Sequence, residues 1–265
     1  MINGLYNSAS GMNAELIQQD TVANNLANVS TVGYKKDDVV FTAFPNVLVH
    51  RIDDKIRGQA SSFANQAELQ PLGVVGHGVE AHSVVTEFTD GAVTRTDLPL
   101  DLALHGNVLF TVQKADGSTA YTRAGNFTQN SDGQLTTQAG DLVIGTGGKP
   151  IQVDGSQVVV DTTGRFMVDG NDAGTLQFET WDPQSMVKQG ENLYVKNEPD
   201  IQAVEDGPAP AGVVQQGYLE QANTSVISEM VNMIVVSRAY EANQKAIQVQ
   251  DNSLSELINQ VGRPS

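Results

Sequence analysis

The stretch that decides the architecture is the last one, Val226 to Val261, VISEMVNMIVVSRAYEANQKAIQVQDNSLSELINQV. It sets an apolar residue at every seventh position: Val226, Met233, Tyr240, Ile247, Leu254 and Val261. A sustained seven-residue repeat keeps one seam of a helix turned toward a partner helix. Asn223, Thr224 or Ser225 supplies the N-cap, and Glu229 falls in the first turn. At 1.5 Å per residue the helix runs roughly 54 Å. Its charges are few: Glu229, Arg238, Glu241, Lys245, Asp251 and Glu256. A helix with one wet face ordinarily gathers many charges there. Here the positions off the seam are mostly amide, hydroxyl or small, such as Asn232, Ser237, Ala239, Asn243, Gln244 and Gln248. That surface suits a helix surrounded by several others better than a helix lying on a domain.

The opposite end repeats the pattern less strictly, through Ile2, Leu5, Ala9, Met12, Leu16, Ala23 and Leu26, with Gln19 the polar member of the row. The spacing predicts a helix from about Asn3 to Asn28, closed by the turn formers of Asn28-Val29-Ser30-Thr31-Val32-Gly33. Asn24 and Asn25 are poor helix formers, so their amides are expected to have hydrogen-bond partners.

Between the helices the signal turns to strand. Asp-Gly and related pairs recur from Asp90-Gly91 to Ala173-Gly174, separating β-rich runs at Val108–Val112, Leu142–Ile144, Val158–Asp161, Phe166–Val168 and Leu176–Phe178. Short strands at this spacing predict an antiparallel domain. Residues 34–75 show Val39-Val40-Phe41, a restart after Pro45, and a Gln/Ser/Ala-rich tract without clean periodicity. They read as a linker or extended arm, one that packs on a neighbouring subunit. The proposed division is 1–33 for the first helix, 34–75 for the arm, 76–197 for the β-rich domain, 198–222 for a second linker and 223–265 for the last helix.

The whole composition narrows the function. At 265 residues the chain can bury a substantial core. A net charge of −16 disfavours nucleic acid and anionic membranes as partners. Without cysteine there is no disulfide framework, thiolate nucleophile or cysteine-ligated metal. The N-terminal MINGLYNSASGMNAEL lacks a basic region and an apolar run, so it does not read as a cleavable signal peptide. No stretch approaches the roughly 18 apolar residues of a spanning helix, and membrane insertion is not expected.

Catalytic and metal patterns are weak. His50, His77, His82 and His105 are scattered without metal-ligand spacing. Around Gly145–Pro150 the phosphate-loop spacing fails, since Val143 stands where its first glycine belongs and Pro150 where a hydroxyl belongs. Asp169-Gly170-Asn171-Asp172 lacks the twelfth-position glutamate of a calcium loop. No nucleophile context such as G-x-S-x-G occurs, and Trp181 alone could stack a sugar. The chain is expected to be no enzyme, with neither cofactor nor metal.

Several long words then carry a resemblance. Asn24-Asn25-Leu26-Ala27-Asn28-Val29-Ser30-Thr31-Val32-Gly33-Tyr34-Lys35 resembles the N-terminal motif of the flagellar basal-body rod and hook protein family. Glu229-Met230-Val231-Asn232-Met233-Ile234, with Arg238 to Ala246, resembles its C-terminal motif. Leu98–Leu104, Tyr121–Phe127 and Gly190–Tyr194 resemble internal motifs, in order. The sequence departs at Gly106-Asn107-Val108, where relatives commonly carry Gly-x-Gly, and across Phe41–Gln70.

The resemblance implies a mixed α and β fold, with N- and C-terminal helices paired as an antiparallel coiled-coil stalk and a mainly antiparallel β-rich middle domain. It implies a non-enzymatic rod subunit that assembles through its terminal helices into a helical tube transmitting torque. The implied assembly residues are Leu5, Met12, Leu16, Asn24, Asn25, Leu26, Asn28, Val226, Met230, Met233, Tyr240, Ile247 and Leu254, the leucines and Met12 facing the C-terminal seam or neighbouring copies. Ser30, Thr31, Gly33 and Tyr34 would make the turn into the outer domain. Implied partners are copies of itself, other rod subunits and the flagellar export apparatus. The implied location is the basal body in the periplasmic or cell-wall zone, reached without a cleavable signal peptide. Ala43-Phe44-Pro45 and the Val143–Gly145 turn lean toward a proximal-rod type, the Glu229–Ile234 word toward a distal-rod type, and the proximal type is slightly favoured. The terminal helices are expected to order on assembly. The alternative is a secreted β-rich adhesive or binding module that oligomerises through the same helices.

Overall fold

The computed structural model describes residues 2–44, 47–50, 71–76, 78–180, 182, 186–190, 192–196 and 214–261. Helix α1 spans Ile2–Ala27. After it come β1 (Asp37–Ala43), β2 (Val47–His50), β3 (Pro71–Val75), β4 (Val79–Thr86), β5 (Val93–Arg95) and β6 (Leu102–Leu104). Strands β7 (Val108–Gln113), β8 (Thr119–Thr122), β9 (Thr128–Gln129), β10 (Leu135–Thr136), β11 (Leu142–Val143), β12 (Val158–Val160) and β13 (Arg165–Val168) follow. The series ends with β14 (Asn171–Thr175), β15 (Phe178–Thr180), β16 (Met186–Gly190), β17 (Leu193–Lys196), β18 (Val214–Gln216) and β19 (Tyr218–Glu220), then helix α2 (Val226–Val261).

The terminal helices lie where the periodicity put them. Ser225 caps α2, its hydroxyl accepting the Ser228 N–H at 3.2 Å, while Thr224 donates its hydroxyl to Glu229 at 2.6 Å. Thr31 N–H closes onto the Asn28 carbonyl at 3.0 Å just past α1, and Gly33 leaves the turn at φ +66°. That is left-handed space, which a glycine enters without strain.

The chain forms two compact units. The first holds residues 1–22, 39–84 and 231–265. In it a Cβ on Gly4 would stand 2.6 Å from Gln250 Nε2, and one on Gly11 would stand 3.0 Å from Asn243 Nδ2. Both steps are seven residues, taken in opposite directions, so α1 and α2 run antiparallel at this contact. Its close row on α1 therefore includes two glycines. Leu5 and Met12 each follow one of these glycines by one position, about 100° further round the helix. Leu16, expected to face the C-terminal seam or a neighbouring copy, is 44% exposed, while Ala14 and Val22 are buried. Glycine admits the amide heads of Gln250 and Asn243, where a larger side chain would hold the helices apart.

The arm read as a linker is instead a set of paired strands: β1 with β4, and β2 antiparallel with β3. The Phe44 N–H is donated to the Gly78 carbonyl at 3.1 Å, and the Phe44 and Tyr6 rings lie 6.3 Å apart. Its Gln/Ser/Ala-rich tract, residues 58–70, lies outside the described residues.

The second unit, residues 23–38 and 85–230, carries the β core. Its centre is β7, VLFTVQ, buried along most of its length. A continuous apolar run marks a strand covered on both faces. One edge of β7 pairs with β8; the other is shared by β11 and β15. The sheet continues outward to β16 and β9, in the order β16-β17-β8-β7-β11-β10-β9. Phe110 meets Phe127 edge-on at 4.9 Å, among Leu102, Leu104, Val112, Leu135, Ile151, Phe166 and Leu176.

Two expectations shift here. The run read at Leu176–Phe178 is interrupted: Leu176 is buried in an isolated antiparallel bridge with Gly145, and β15 begins at Phe178, with the Gln177 N–H on the Ile144 carbonyl and the Thr111 N–H on the Gln177 carbonyl. The second linker ends before residue 214, because β18 pairs with β6, β19 pairs with β5, and Val214 enters the core.

Candidate assembly junction

The residues between the end of α1 and β1 are fastened to the β-rich unit by side-chain amides and buried charges. Asn25 is 2% exposed. Its Nδ2 donates to the Asp37 carbonyl at 2.8 Å, and its Oδ1 accepts the Asp37 N–H at 2.9 Å, so one amide closes both backbone groups of one residue. The Tyr34 hydroxyl shares its proton between Asn25 Oδ1 at 2.9 Å and Asn24 Oδ1 at 3.1 Å. Asn28 Nδ2 donates to the Asn24 carbonyl at 2.9 Å, and Thr31 donates its hydroxyl to Asn28 Oδ1 at 3.2 Å. The unusual asparagines at the helix end thus have the partners their residue type requires.

The turn is held from the other side as well. The Gly33 N–H is donated to the Glu220 carbonyl at 2.8 Å, and Asn192 Nδ2 donates to the Val32 carbonyl at 2.8 Å. A Cβ on Gly33 would lie 2.6 Å from the Arg123 carbonyl group. Asn223 accepts the Lys36 N–H at 2.7 Å and donates to the Glu87 carbonyl at 2.7 Å. It ties the strand side of the junction to the entry of α2, a role distinct from the cap that Ser225 provides. Lys188 stands 3.9 Å over the Tyr34 ring and 3.1 Å from Asp37.

Beneath the turn sits a buried ionic cluster. Glu220 accepts from Lys35 Nζ at 2.5 Å, from Arg123 Nε at 2.6 Å and from the Gly91 N–H at 2.8 Å. Lys35 also reaches the Thr89 carbonyl at 2.6 Å. Arg123 donates to the carbonyls of Leu104, Gly106 and Val108, and approaches Asp90 at 3.2 Å. Phe88 lies 4.9 Å from Lys35 Nζ and 5.7 Å from the Arg123 guanidinium. Burial alone would raise the Glu220 carboxyl, but Arg123 and Lys35 outweigh it and hold it below the ordinary carboxylate range. Burial pushes the Lys35 ammonium down, with Glu220 opposing the shift. The Tyr34 hydroxyl is pushed up by burial and by the charges of Asp37 and Glu229, so it stays a donor.

The expected site residues divide into two sets. Asn24, Asn25, Asn28, Thr31, Gly33 and Tyr34 come together at this junction, and Ser30 is exposed on its turn. Leu5, Met12, Leu26, Met233, Tyr240, Ile247 and Leu254 are partly buried along the helices, whereas Leu16, Val226 and Met230 are exposed. Sequence reasoning missed Arg123, Glu220, Asp37 and Lys188. Arg123 and Lys35 stood inside the quoted words, but Glu220 stood in a supposed linker. Among the described residues no group of three or more His, Cys, Asp or Glu could hold a metal ion, and His105 is bonded to Gln215 at 3.0 Å. The ionised groups are engaged with one another, and what the arrangement can do is fix a backbone.

Three family models match this chain in order. "Flagella basal body rod protein" covers residues 5–35, "Flagellar hook protein FlgE/F/G D1 domain" residues 103–169, and "Flagellar basal body rod FlgEFG protein C-terminal" residues 215–260. The flagellar basal-body rod protein FlgG of Borreliella burgdorferi is 32% identical over 96% of this chain and 97% of its own length. FlgG of Buchnera aphidicola from Acyrthosiphon pisum is 34% identical over 97% and 99%. The chain belongs to the flagellar basal-body rod family. The flagellar hook-basal body complex protein FlhO of Bacillus subtilis is 31% identical over 99% of the chain and all of its own length. Both terminal segments reach the junction: the first family model closes on Lys35, and the last, from residue 215, contains Glu220 and Asn223. The chain is thus a rod-family structural subunit of the flagellar basal body, and the junction is built from both of its terminal family segments.

Proposed function

We propose that this rod-family chain assembles with copies of itself and with other rod subunits through its terminal helices, building a tube that carries torque. The observation that carries this reading is a second apolar face on α2. Met233, Val236, Tyr240 and Ile247 turn inward to different degrees, with Val236 only 3% exposed. Round the same helix Ile227, Met230, Val231, Ile234 and Val235 stand 52–78% exposed. A contiguous run of this size on one helix marks an interaction surface. An antiparallel coiled coil formed by α1 and α2 alone would leave it in water; neighbouring helices would cover it. Contacts between unlike surfaces of identical subunits propagate into filaments.

The charge of −16 and the absence of an apolar spanning helix among the described residues fit an aqueous, protein-lined setting for the assembled subunit. Delivery by the flagellar export apparatus to the periplasmic or cell-wall zone, and ordering of the helices on assembly, belong to the same reading.

Ile234→Asp tests the reading. Because Ile234 is exposed, the free chain should keep its thermal midpoint within about 1 °C of wild type. In a strain lacking the native subunit, the variant should fail to restore rods and swimming. Restored motility would remove the second face from the interface.

A further inference from the structure

We propose that the carboxylate of Glu220 gates closure of the β-rich unit, holding its sheets open until residues 214–223 have docked. The argument rests on who supplies charge to whom. The side chains of Lys35 and Arg123 are 0% exposed, and that of Glu220 is 2% exposed. The other acid in reach, Asp90, is 59% exposed and touches Arg123 alone of the two cations. Without Glu220 the site buries two cations with no buried counter-charge, an arrangement proteins avoid by staying open to water. The site therefore cannot close around Lys35 and Arg123 until the third member arrives.

That member arrives from far away in the chain. Lys35 and Glu220 are 185 residues apart, and Arg123 and Glu220 are 97 apart. Contacts of such separation form late, because the intervening chain must be ordered or looped first. The same short segment brings more than charge. Its Val214 fills the core, its Glu220 carbonyl receives the Gly33 N–H, and its Gly217 N–H is donated to the Asp101 carbonyl at 2.8 Å. Gly217 also accepts from Thr96 N–H at 2.9 Å, so β5 and β6 are tied to β18 and β19 at once. Arg123 in turn binds the carbonyls of Leu104, Gly106 and Val108, which form the bend between β6 and β7. Docking of Glu220 thereby reports to the central strand.

On the proposed export route, a channel that holds either end of this 185-residue span keeps the unit unfolded, and folding begins only after both ends are free. That consequence depends on the export reading; the gating itself does not.

Pulse-labelled hydrogen exchange during refolding of the full chain tests it. The amides of Leu109–Val112 in β7 and of Ala120–Thr122 in β8 should gain protection in the same kinetic phase as those of Gln215–Gln221. Protection of β7 and β8 in an earlier, separate phase would overturn the proposal, with the rod reading untouched. Glu220→Gln should slow both sets together by about tenfold; an unchanged rate would equally overturn it. In a Lys35→Met/Arg123→Met/Glu220→Leu chain, where no charge needs a partner, β7 and β8 should become protected first. If they still wait for residues 215–221, the gate is not ionic and the proposal fails. Should Glu220→Gln not fold, the wild-type phases alone decide.

Discussion

Replacing Asn25 by leucine should loosen the junction by about 3 kcal/mol. The side chain is similar in volume, so the loss is chiefly of hydrogen bonds. Three polar groups now served by Asn25 lose a partner: the Asp37 N–H, the Asp37 carbonyl and the Tyr34 hydroxyl. An unsatisfied buried group costs about 1–3 kcal/mol. Tyr34 keeps Asn24 Oδ1 at 3.1 Å, so its loss is small, and Asp37 is only partly buried, which puts each backbone loss in the lower half of that range. Because the chain has two units, global unfolding is a poor assay. Native-state exchange of the Gly33 N–H, bonded to the Glu220 carbonyl, reads the junction directly. At 1.4 kcal/mol per tenfold, it should exchange about 100-fold faster in the variant. Asn25→Asp separates hydrogen bonding from packing. It keeps the acceptor, loses the donor to the Asp37 carbonyl, and buries a charge, so it should be at least as damaging at neutral pH and recover partly in acid. An acceleration under about threefold in Asn25→Leu would mean that water replaces the amide at no cost, and the fastening role would be wrong.

Other consequences follow from the same geometry. Gly33→Ala should destabilise the β-rich unit by about 3 kcal/mol or more, from left-handed φ and contact with the Arg123 backbone, read as faster native-state exchange of the β7 amides. Acid should unfold this unit: the unfolded Glu220 takes up a proton near its ordinary value of 4.5 while the folded one resists, so stability falls as pH drops through 4.5 toward the folded value. Glu220→Gln, weaker throughout, should lose that part of the slope in urea titrations between pH 5 and 3. Gly11→Leu should expose the α1–α2 contact to proteolysis despite its better helix propensity, since even a Cβ there stands 3.0 Å from Asn243; an unchanged cutting rate would remove the glycine row from that contact.

The helices were legible because a helical period needs no knowledge of the partner: α2 falls on Val226–Val261 as read, and α1 on Ile2–Ala27, within a residue of the reading. So was the strand content of the middle, since Val108–Gln113 and Arg165–Val168 announce themselves by composition. What faces what was not legible. Apolar periodicity marks faces to be covered but not by whom: Leu16, read as facing the C-terminal seam or a neighbouring copy, is 44% exposed, while the close row contains Gly4 and Gly11. Residues 214–220 looked like linker because each strand has three residues, too few to show alternation; their pairing partners lie more than a hundred residues away. The ionic cluster was hidden for the same reason, each member appearing in sequence as one ordinary surface charge.

These failures share a cause that bears on the proposed assembly. Of the two apolar faces of α2, one is answered within the chain and one is not. The unanswered face is concentrated between Ile227 and Val235, next to the α2 entry that Asn223 and the Thr224–Glu229 bond tie down. Beyond it the outward positions turn to Arg238, Glu241, Ala242 and Lys245, and exposed apolar residues return singly at Val249 and then at Leu257 and Ile258. A contact placed close to a fixed root moves little when the far end of a helix bends, so it preserves register between copies. Fixing the root with buried amides and an ion cluster, and setting the greasiest exposed surface beside it, are therefore one design.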